Sequence, residues 1–157
     1  MIDTLWGGAN NPEINEALAN WCAAQIGLPR PFAAPYVTMG VFSDGSLVAV
    51  ILFNNYQPEA GVIEIHGAAL KLGWLTRRII REMAEYGFGQ LGCQMAVMRV
   101  SEKNRQLNGR GARRALKAYG FEAYHIPRLR GRDEGEIIYT LTDDAWRSNG
   151  AYKVKEG

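Results

Sequence analysis

The chain has 157 residues, of which 47% are apolar and 22% are charged, and its formal net charge is +2. That length suits one domain, and that apolar content is enough to fill one core. No apolar run approaches the roughly 20 residues that cross a bilayer, and the start lacks the basic and apolar regions of a signal peptide. We therefore expect one cytoplasmic domain over residues 1–150 without membrane contact, followed by a frayed tail over residues 151–157.

The two cysteines, Cys22 and Cys93, lie far apart in the sequence and have no CxxC or His/Cys cluster around them. A disulfide framework needs more cysteines, and a zinc site needs ligands at short, regular spacing. The sequence therefore predicts two buried thiols and no metal site.

The first half of the chain predicts a helix, a hairpin and a further strand. Asn10, Asn11 and Pro12 are typical of a helix start, and Gly27 should end that helix. Alternating apolar residues then predict three strands, the first two joined by a turn at residues 43–46: Val37–Phe42, Leu47–Phe53 and Gly61–Gly67.

The second half predicts two helices, one more strand and a closing hairpin. The first helix begins at Gly73 or Thr76 and should stop at Gly87 and Gly89. The remaining elements are predicted as a strand, a helix capped by Gly120, and two strands joined by a basic loop at residues 127–135: Met95–Val100, Gln106–Tyr119, Phe121–Ile126 and Glu136–Leu141.

This order predicts an α/β (α+β) domain with a mixed, mostly antiparallel sheet and helices on both faces. The strand–helix–strand unit from Val62 to Val100 requires a parallel pairing in the middle of that sheet, because parallel strands need a long crossover connection.

Residues 99–132 form a basic segment that contains ten lysines and arginines but only two acidic residues, Glu102 and Glu122. Such a concentration of charge favours an anionic partner: the phosphates of a cofactor, a nucleic acid, a ribosome or an acidic protein surface. The alternative is a solvated helix face whose charge is balanced by acidic residues elsewhere in the fold.

The junction from Ala68 to Arg78 lies where a strand ends and a helix begins. A helix start offers N–H groups and a positive dipole end to an anion, and Arg77 and Arg78 would add charge there. Because two arginines in the first turn oppose the dipole, their presence favours an anion site. A plain connecting loop with Trp74 in the core is the competing interpretation.

The stretch from Val62 to Leu141 resembles the GNAT superfamily of acetyl-CoA-dependent N-acetyltransferases. Within it, the chain is most similar to the branch of ribosomal-protein N-acetyltransferases and phage-borne relatives. The resemblance is carried by Asn104 or Asn108, an Ala/Arg-rich helix and the closing Gly120-Phe121. The hairpin of residues 36–56 before a glutamate-containing strand fits the same order.

The resemblance implies that acetyl-CoA is the cofactor. The family's usual pyrophosphate loop, Arg/Gln-x-x-Gly-x-Gly/Ala, is replaced here by residues 72–78, so backbone N–H groups around Trp74 to Arg77 would take the pyrophosphate. The expected cofactor-binding residues flank this junction and follow the fourth strand: Ala68, Leu70, Trp74, Leu75, Thr76, Arg77, Arg78, Asn104 and Asn108.

The implied reaction is direct attack of a neutral amine on the acetyl thioester, which requires a base, an oxyanion donor and an acid. Glu64 is the first candidate base and His66 the second, since both lie on one face of the third strand. Either residue could instead belong to a polar, solvent-facing stripe. Tyr119 and Tyr124 are candidate acids, because Leu116 occupies the position that the family often gives to a tyrosine acid.

Two functions follow from the sequence. The first is transfer of an acetyl group to a primary amine, which can be a protein N-terminus, a lysine or a small-molecule amine. The second is a non-catalytic module that binds RNA, DNA or an acidic protein surface through residues 99–132. Trp6 and Trp146 either form a homodimer contact or pack within the chain.

Overall fold

The structure is a computed structural model, which describes residues 1–71, 73–104 and 109–149. Within these ranges, seven strands form a sheet with the order β1-β2-β3-β4-β5-β7-β6. The predicted mostly antiparallel sheet with helices is confirmed. Two compact units divide the chain: residues 1–55 with 65–74, and residues 56–64 with the described residues from 75 onward. Strand β4 (Val62–Ala69) contributes to both.

The first unit consists of a strand, a helix and a hairpin, together with the later part of β4. These elements are β1 (Ile2–Gly7), α1 (Pro12–Ile26), β2 (Tyr36–Ser43) and β3 (Ser46–Gln57). The predicted hairpin is confirmed, with Ser43 opposite Ser46 across a two-residue turn. Asp44 and Gly45 both have positive φ angles, 50° and 84°, which matches the twist of a tight hairpin.

Helix α1 lies close against β1 and β2 because small and polar residues meet at the contact. A Cβ atom on Gly7 would lie 2.6 Å from the Cα atom of Asn15, so no larger residue fits there. The Asn15 side chain accepts a 2.8 Å hydrogen bond from the buried Thr38 hydroxyl and donates to the Tyr36 carbonyl. Below this contact a core forms around Leu18, Cys22, Val50 and Ala68.

The second unit contains the remaining elements. They are α2 (Arg77–Ala84), a π-helical segment (Glu85–Gln90), β5 (Met95–Ser101), α3 (Arg110–Ala118), β6 (Glu122–Ile126), β7 (Glu136–Thr142) and α4 (Asp143–Arg147). Strand β7 pairs antiparallel with both β5 and β6. The predicted terminal hairpin is therefore confirmed.

Helix α3 ends as predicted at Gly120, whose φ of 107° suits glycine. The Gly120 N–H donates to the Lys117 carbonyl, and the Phe121 N–H donates to the Leu116 carbonyl. These two bonds satisfy carbonyl groups that the last helical turn leaves unpaired.

Four predictions about the elements were wrong or incomplete. Strand β1 was missed, because an edge strand with alternating half-buried and exposed residues carries little apolar signal. The short helix α4 was missed as well. The chain does not stop turning at Gly87 and Gly89, since packing of the buried Phe88 carries a π-helical turn through both glycines. Gly109 has extended backbone, so α3 starts at Arg110 rather than Gln106, which lies outside the described residues.

Both tryptophans that were considered as dimer contacts pack within their own unit. Trp146 is 4% exposed, and the Trp6 ring stacks on Phe53 with 5.7 Å between centroids. Cys22 and Cys93 are free and buried as predicted, and burial raises the pKa of the Cys22 thiol to about 12. No helix among the described residues is long and apolar enough to cross a membrane.

Because the backbone at Gly120 is left-handed, we expect alanine substitutions at Gly120 and Gly111 to change the stability of the protein in opposite directions. Gly120→Ala should destabilise the protein by about 1–2 kcal/mol, because its positive φ disfavours a side chain and the new Cβ would lie 3.2 Å from the Leu141 side chain. Gly111→Ala is the matched control, since its Cβ meets open space within α3 and should stabilise the protein by about 0.5–1 kcal/mol. Urea unfolding measures both changes, and equal effects would contradict the assigned cap.

Candidate functional site

A buried carboxylate lies between two arginines in the second unit. Glu136, at the start of β7, is 2% exposed. Its Oε2 atom accepts hydrogen bonds from Arg99 Nη2 at 2.8 Å and Arg99 Nε at 3.1 Å, and its Oε1 atom accepts one from Arg130 Nη1 at 3.2 Å. Buried charges require partners of this kind. The hydrogen bonds to Glu136 raise the pKa of the Arg99 guanidinium above its ordinary value.

Contacts of a second carboxylate, Glu134, fasten the loop between β6 and β7 to the end of β5. Glu134, in that loop, accepts a 2.6 Å hydrogen bond from the Ser101 hydroxyl and lies 3.5 Å from Arg130 Nε. Lys103 Nζ lies 3.8 Å from the other Glu134 oxygen. Glu134 in the loop and Glu136 at the start of β7 therefore neutralise cations on β5 and just after it. We call Arg99, Arg130, Glu134 and Glu136 the Glu136 cluster.

Glu102 holds the last residue of the same loop, Gly135. Its Oε2 atom accepts a 2.7 Å hydrogen bond from the Gly135 N–H, and its Oε1 atom lies 2.8 Å from His125 Nε2. The Gly135 N–H first, and then the His125 contact, lower the pKa of Glu102 below its ordinary value. A Cβ atom on Gly135 would lie 2.9 Å from Glu102 Oε1 and 3.0 Å from both His125 Nε2 and the Ile126 carbonyl oxygen, so a side chain there would push Glu102 away from its contacts.

Glu64, the first candidate base, lies on β4 in the same unit as this cluster. Ile63 and Ile65 are buried while Glu64 is half-buried, as the predicted alternation requires. The Glu64 charge is close enough to Arg99 to raise the pKa of that arginine further, after the contribution of Glu136. The strand order β4-β5-β7 places these charged residues on successive strands.

His66, the second candidate base, has a different environment in the first unit. Its Nε2 atom lies 3.1 Å from the Asn54 Oδ1 atom on β3. Its ring lies against Phe32, with 5.1 Å between ring centroids and a tilt of 55°. Ring packing and a side-chain hydrogen bond both fix the orientation of this imidazole.

The start of helix α2 has the features expected of an anion site. Of the two predicted starts, the structure has Thr76 as the capping residue, and its hydroxyl accepts a 3.3 Å hydrogen bond from the Ile79 N–H. Arg77 and Arg78 occupy the exposed first turn, which contains no acidic residue. Arg78 also pairs with Glu82 at 3.2 Å, one turn later.

The other predicted site residues are spread over both units. In the first unit, Ala68 and Trp74 are buried while Leu70 is 54% exposed. Leu75 is half-buried in the second unit, and so is Asn104, whose N–H donates to the Ser101 carbonyl. Asn108 lies outside the described residues.

The two candidate acids are both tyrosines of the second unit. Tyr119 is half-buried at the C-terminal end of α3. Tyr124 is 50% exposed on β6 and donates a 2.6 Å hydrogen bond to Glu122. Among the residues that the structure describes, no contact assigns either tyrosine to the acid role, which stays a prediction.

Sequence reasoning missed the Glu136 cluster. Arg99 was counted only as part of the basic segment, and Glu136 only as a strand residue. The sequence did contain a usable signal: Arg99 and Glu136 each stand within an apolar strand, and a charge that is buried in a strand needs a partner. The partner itself, 37 positions away, is visible only in the fold.

At the level of sequence, no known family model and no curated protein matches the chain. Solved structures do match the fold. A chain described as a probable acetyltransferase is 16% identical, with a TM-score of 0.63 over 92% of this chain and 94% of that one. The spermidine/spermine N-acetyltransferase SpeG from Vibrio cholerae is 12% identical, with a TM-score of 0.64 over 94% and 95% of the two chains.

A third similar structure is the N-terminal domain of ribosomal-protein-alanine acetyltransferase from Clostridium acetobutylicum ATCC 824. It is 12% identical, with a TM-score of 0.51 over 70% of this chain and 86% of that domain. The chain therefore has the fold of the GNAT acetyltransferases, as the resemblance implied.

Because Glu136 is buried, we expect its charge to contribute more to the stability of the protein than the charge of Glu134 does. Glu136→Gln should destabilise the protein by about 2–4 kcal/mol, because two guanidinium groups then face a neutral amide. Glu134→Gln is the matched control and should destabilise it by less than about 1 kcal/mol, since this side chain is 32% exposed. Urea unfolding at neutral pH measures both, and similar losses would contradict the role given to burial.

Proposed function

We propose that the chain is an acetyl-CoA-dependent N-acetyltransferase that acts on a primary amine. The observation that carries the proposal is the fold, which more than nine-tenths of this chain shares with chains described as acetyltransferases. A fold alone hosts many functions. The chemistry of the start of α2 and of Glu64 supplies the support specific to this sequence.

The start of α2 is the proposed site for the pyrophosphate of acetyl-CoA. N–H groups in the first turn of a helix lack intrahelical acceptors and point toward an anion. Thr76 caps the turn through the Ile79 N–H, while Arg77 and Arg78 supply positive charge to a turn without acidic residues. This arrangement replaces the glycine-rich loop that the family normally uses.

Glu64 is the proposed base for the acceptor amine. The nitrogen of the amine must be neutral to attack the thioester carbonyl, so a base accepts its proton as the C–N bond forms and the C–S bond breaks. The thiolate of CoA then takes up a proton. Arg99 lies within electrostatic range of Glu64, and the bridge to Glu136 holds that arginine in place.

The acceptor belongs to the class of primary amines: a protein N-terminus, a lysine or a small-molecule amine. Among the proteins of similar fold, one is described as a spermidine/spermine acetyltransferase and another as a ribosomal-protein-alanine acetyltransferase. A panel that contains spermidine, a peptide with N-terminal alanine and a lysine peptide with a blocked N-terminus covers these classes. Release of CoA thiol reports turnover of each.

The proposed pyrophosphate site predicts a charge-dependent affinity for acetyl-CoA. Calorimetric titration should give micromolar binding to the wild type, and Arg77→Gln/Arg78→Gln should bind about 10- to 100-fold more weakly, because two charge-assisted contacts are lost. The control is Arg128→Gln/Arg132→Gln, which removes the same charge from two exposed loop positions. It should bind as the wild type does.

Two outcomes of this titration would contradict the proposal. Absence of binding to the wild type would remove the acetyltransferase function and leave the non-catalytic module on residues 99–132 as the better hypothesis. Equal weakening by both double variants would show that net charge, rather than the start of α2, attracts the cofactor.

The assignment of the base predicts different kinetics for two variants of β4. Glu64→Gln should lower kcat by about 10²–10⁴-fold with an unchanged KM for acetyl-CoA, since a positioned base contributes that much. His66→Gln should retain activity within about 10-fold, because the contacts of His66 with Asn54 and Phe32 indicate a packing role. The opposite pattern would transfer the role to His66.

A further inference from the structure

The basic segment of the chain is divided by the fold into a neutralised part and an uncompensated part. Arg99 and Arg130 pair with Glu136, and Lys103 pairs with Glu134. On helix α3, by contrast, Arg110, Arg114 and Lys117 form no ion pair with a carboxylate in the described ranges. The positive charge that the sequence concentrates in residues 99–132 therefore reaches solvent on α3.

The cations of α3 lie on one side of the helix. Arg110, Arg113, Arg114 and Lys117 are spaced at i, i+3, i+4 and i+7, and all four are exposed. Residues three or four positions apart are neighbours on a helix surface, so the i,i+3 and i,i+4 pairs among these cations repel. We call these four residues the α3 stripe.

Two further features of α3 add to the electrostatic cost of the α3 stripe when no anionic partner is bound. Its first turn has no acidic residue and carries Arg110, which opposes the helix dipole. Its capping residue, Gly109, makes no side-chain capping bond. An anionic partner would relieve both the dipole conflict and the repulsion between cations.

Arg113 fixes the orientation of the α3 stripe relative to the sheet. Burial raises the pKa of the Tyr139 hydroxyl, and the Arg113 guanidinium, which bonds to that hydroxyl, opposes the rise. Since Tyr139 is 1% exposed on β7, this contact holds one end of Arg113 against the core. The other three cations are left to face outward.

We propose that the α3 stripe binds the sugar–phosphate backbone of a nucleic-acid duplex, without reading its sequence. Seven residues of helix span about 10 Å, which is the rise of about three phosphates along one strand. Of the three cations that face outward, Arg110 and Arg114 are arginines, whose guanidinium groups match phosphate geometry. Helix α3 contains no aromatic residue between Arg110 and Ala118, so the surface around the α3 stripe lacks the stacking platforms that single-strand binders use.

The test is fluorescence anisotropy of the full chain with a labelled 20-base-pair DNA duplex and a labelled RNA duplex of the same length. Both should bind in the range of about 1–100 µM at 50 mM salt. Contacts with about three phosphates predict a slope near −2.7 in a plot of log K against log salt, or about a 40-fold loss between 50 and 200 mM salt.

The diagnostic variant is Arg110→Gln/Arg114→Gln/Lys117→Gln, which keeps the Arg113 contact with Tyr139. It should lose at least about 10-fold in affinity and most of the salt dependence. The matched control, Arg30→Gln/Arg128→Gln/Arg132→Gln, removes three exposed cations elsewhere and should bind almost as the wild type does. Thermal unfolding of both variants checks that each is folded.

Each remaining outcome would overturn the proposal. Equal losses in the two triple variants would assign binding to net charge alone. Release of the duplex by free CoA would assign the α3 stripe to the cofactor. Tighter binding of polyglutamate than of either duplex would indicate an acidic protein partner, and tighter binding of single strands would indicate recognition of bases. Because none of these readouts uses acetyl transfer, failure here leaves the proposed enzymatic function untouched.

Discussion

The buried charge of Glu136 organises the second unit of the molecule. A carboxylate that is 2% exposed requires partners, and here Arg99 from β5 and Arg130 from the loop after β6 both supply them. Because these partners come from different elements, one charge holds the end of β5, the start of β7 and the connecting loop together. The Ser101–Glu134 and Glu102–Gly135 contacts extend the same attachment. Glu64 lies within electrostatic range of Arg99, which the hydrogen bonds to Glu136 hold in place.

The fold places basic residues at the starts of two helices, and their surroundings suggest different uses. Helix α2 is the next element along the chain after β4, the strand that carries Glu64, and its capped first turn with Arg77 and Arg78 suits the phosphates of a small co-substrate. At α3, four cations run along two helical turns, which suits an extended polyanion rather than a compact one. Between these helices, Arg99 is already paired with Glu136 and Lys103 with Glu134. The basic segment is therefore partly structural and partly available for binding.

Local sequence patterns predicted much of this fold, but they could not predict contacts between residues that are far apart in the sequence. The Asp44-Gly45 turn, the Gly120 cap and the alternation of β4 each depend on a few adjacent residues, and each was confirmed. Strand β1 was missed because its place at the sheet edge needs no apolar periodicity. The start of α3 was misplaced because its capping residue is Gly109, which has no side chain to mark the start. The Glu136 cluster joins residues 37 positions apart, and no local spacing encodes that contact. The predicted roles of Glu64, His66 and Tyr119 stay predictions.

The measurement that tests the central claim most directly is a residue-resolved NMR titration of the ¹⁵N-labelled chain with acetyl-CoA. The account predicts that the largest and earliest amide shifts occur at residues 75–80, where the first turn of α2 offers its N–H groups. Shifts confined to residues 110–117 would move the cofactor to the α3 stripe and remove the basis for a separate polyanion site. No shifts at millimolar acetyl-CoA would contradict the acetyltransferase function itself and leave only the shared fold.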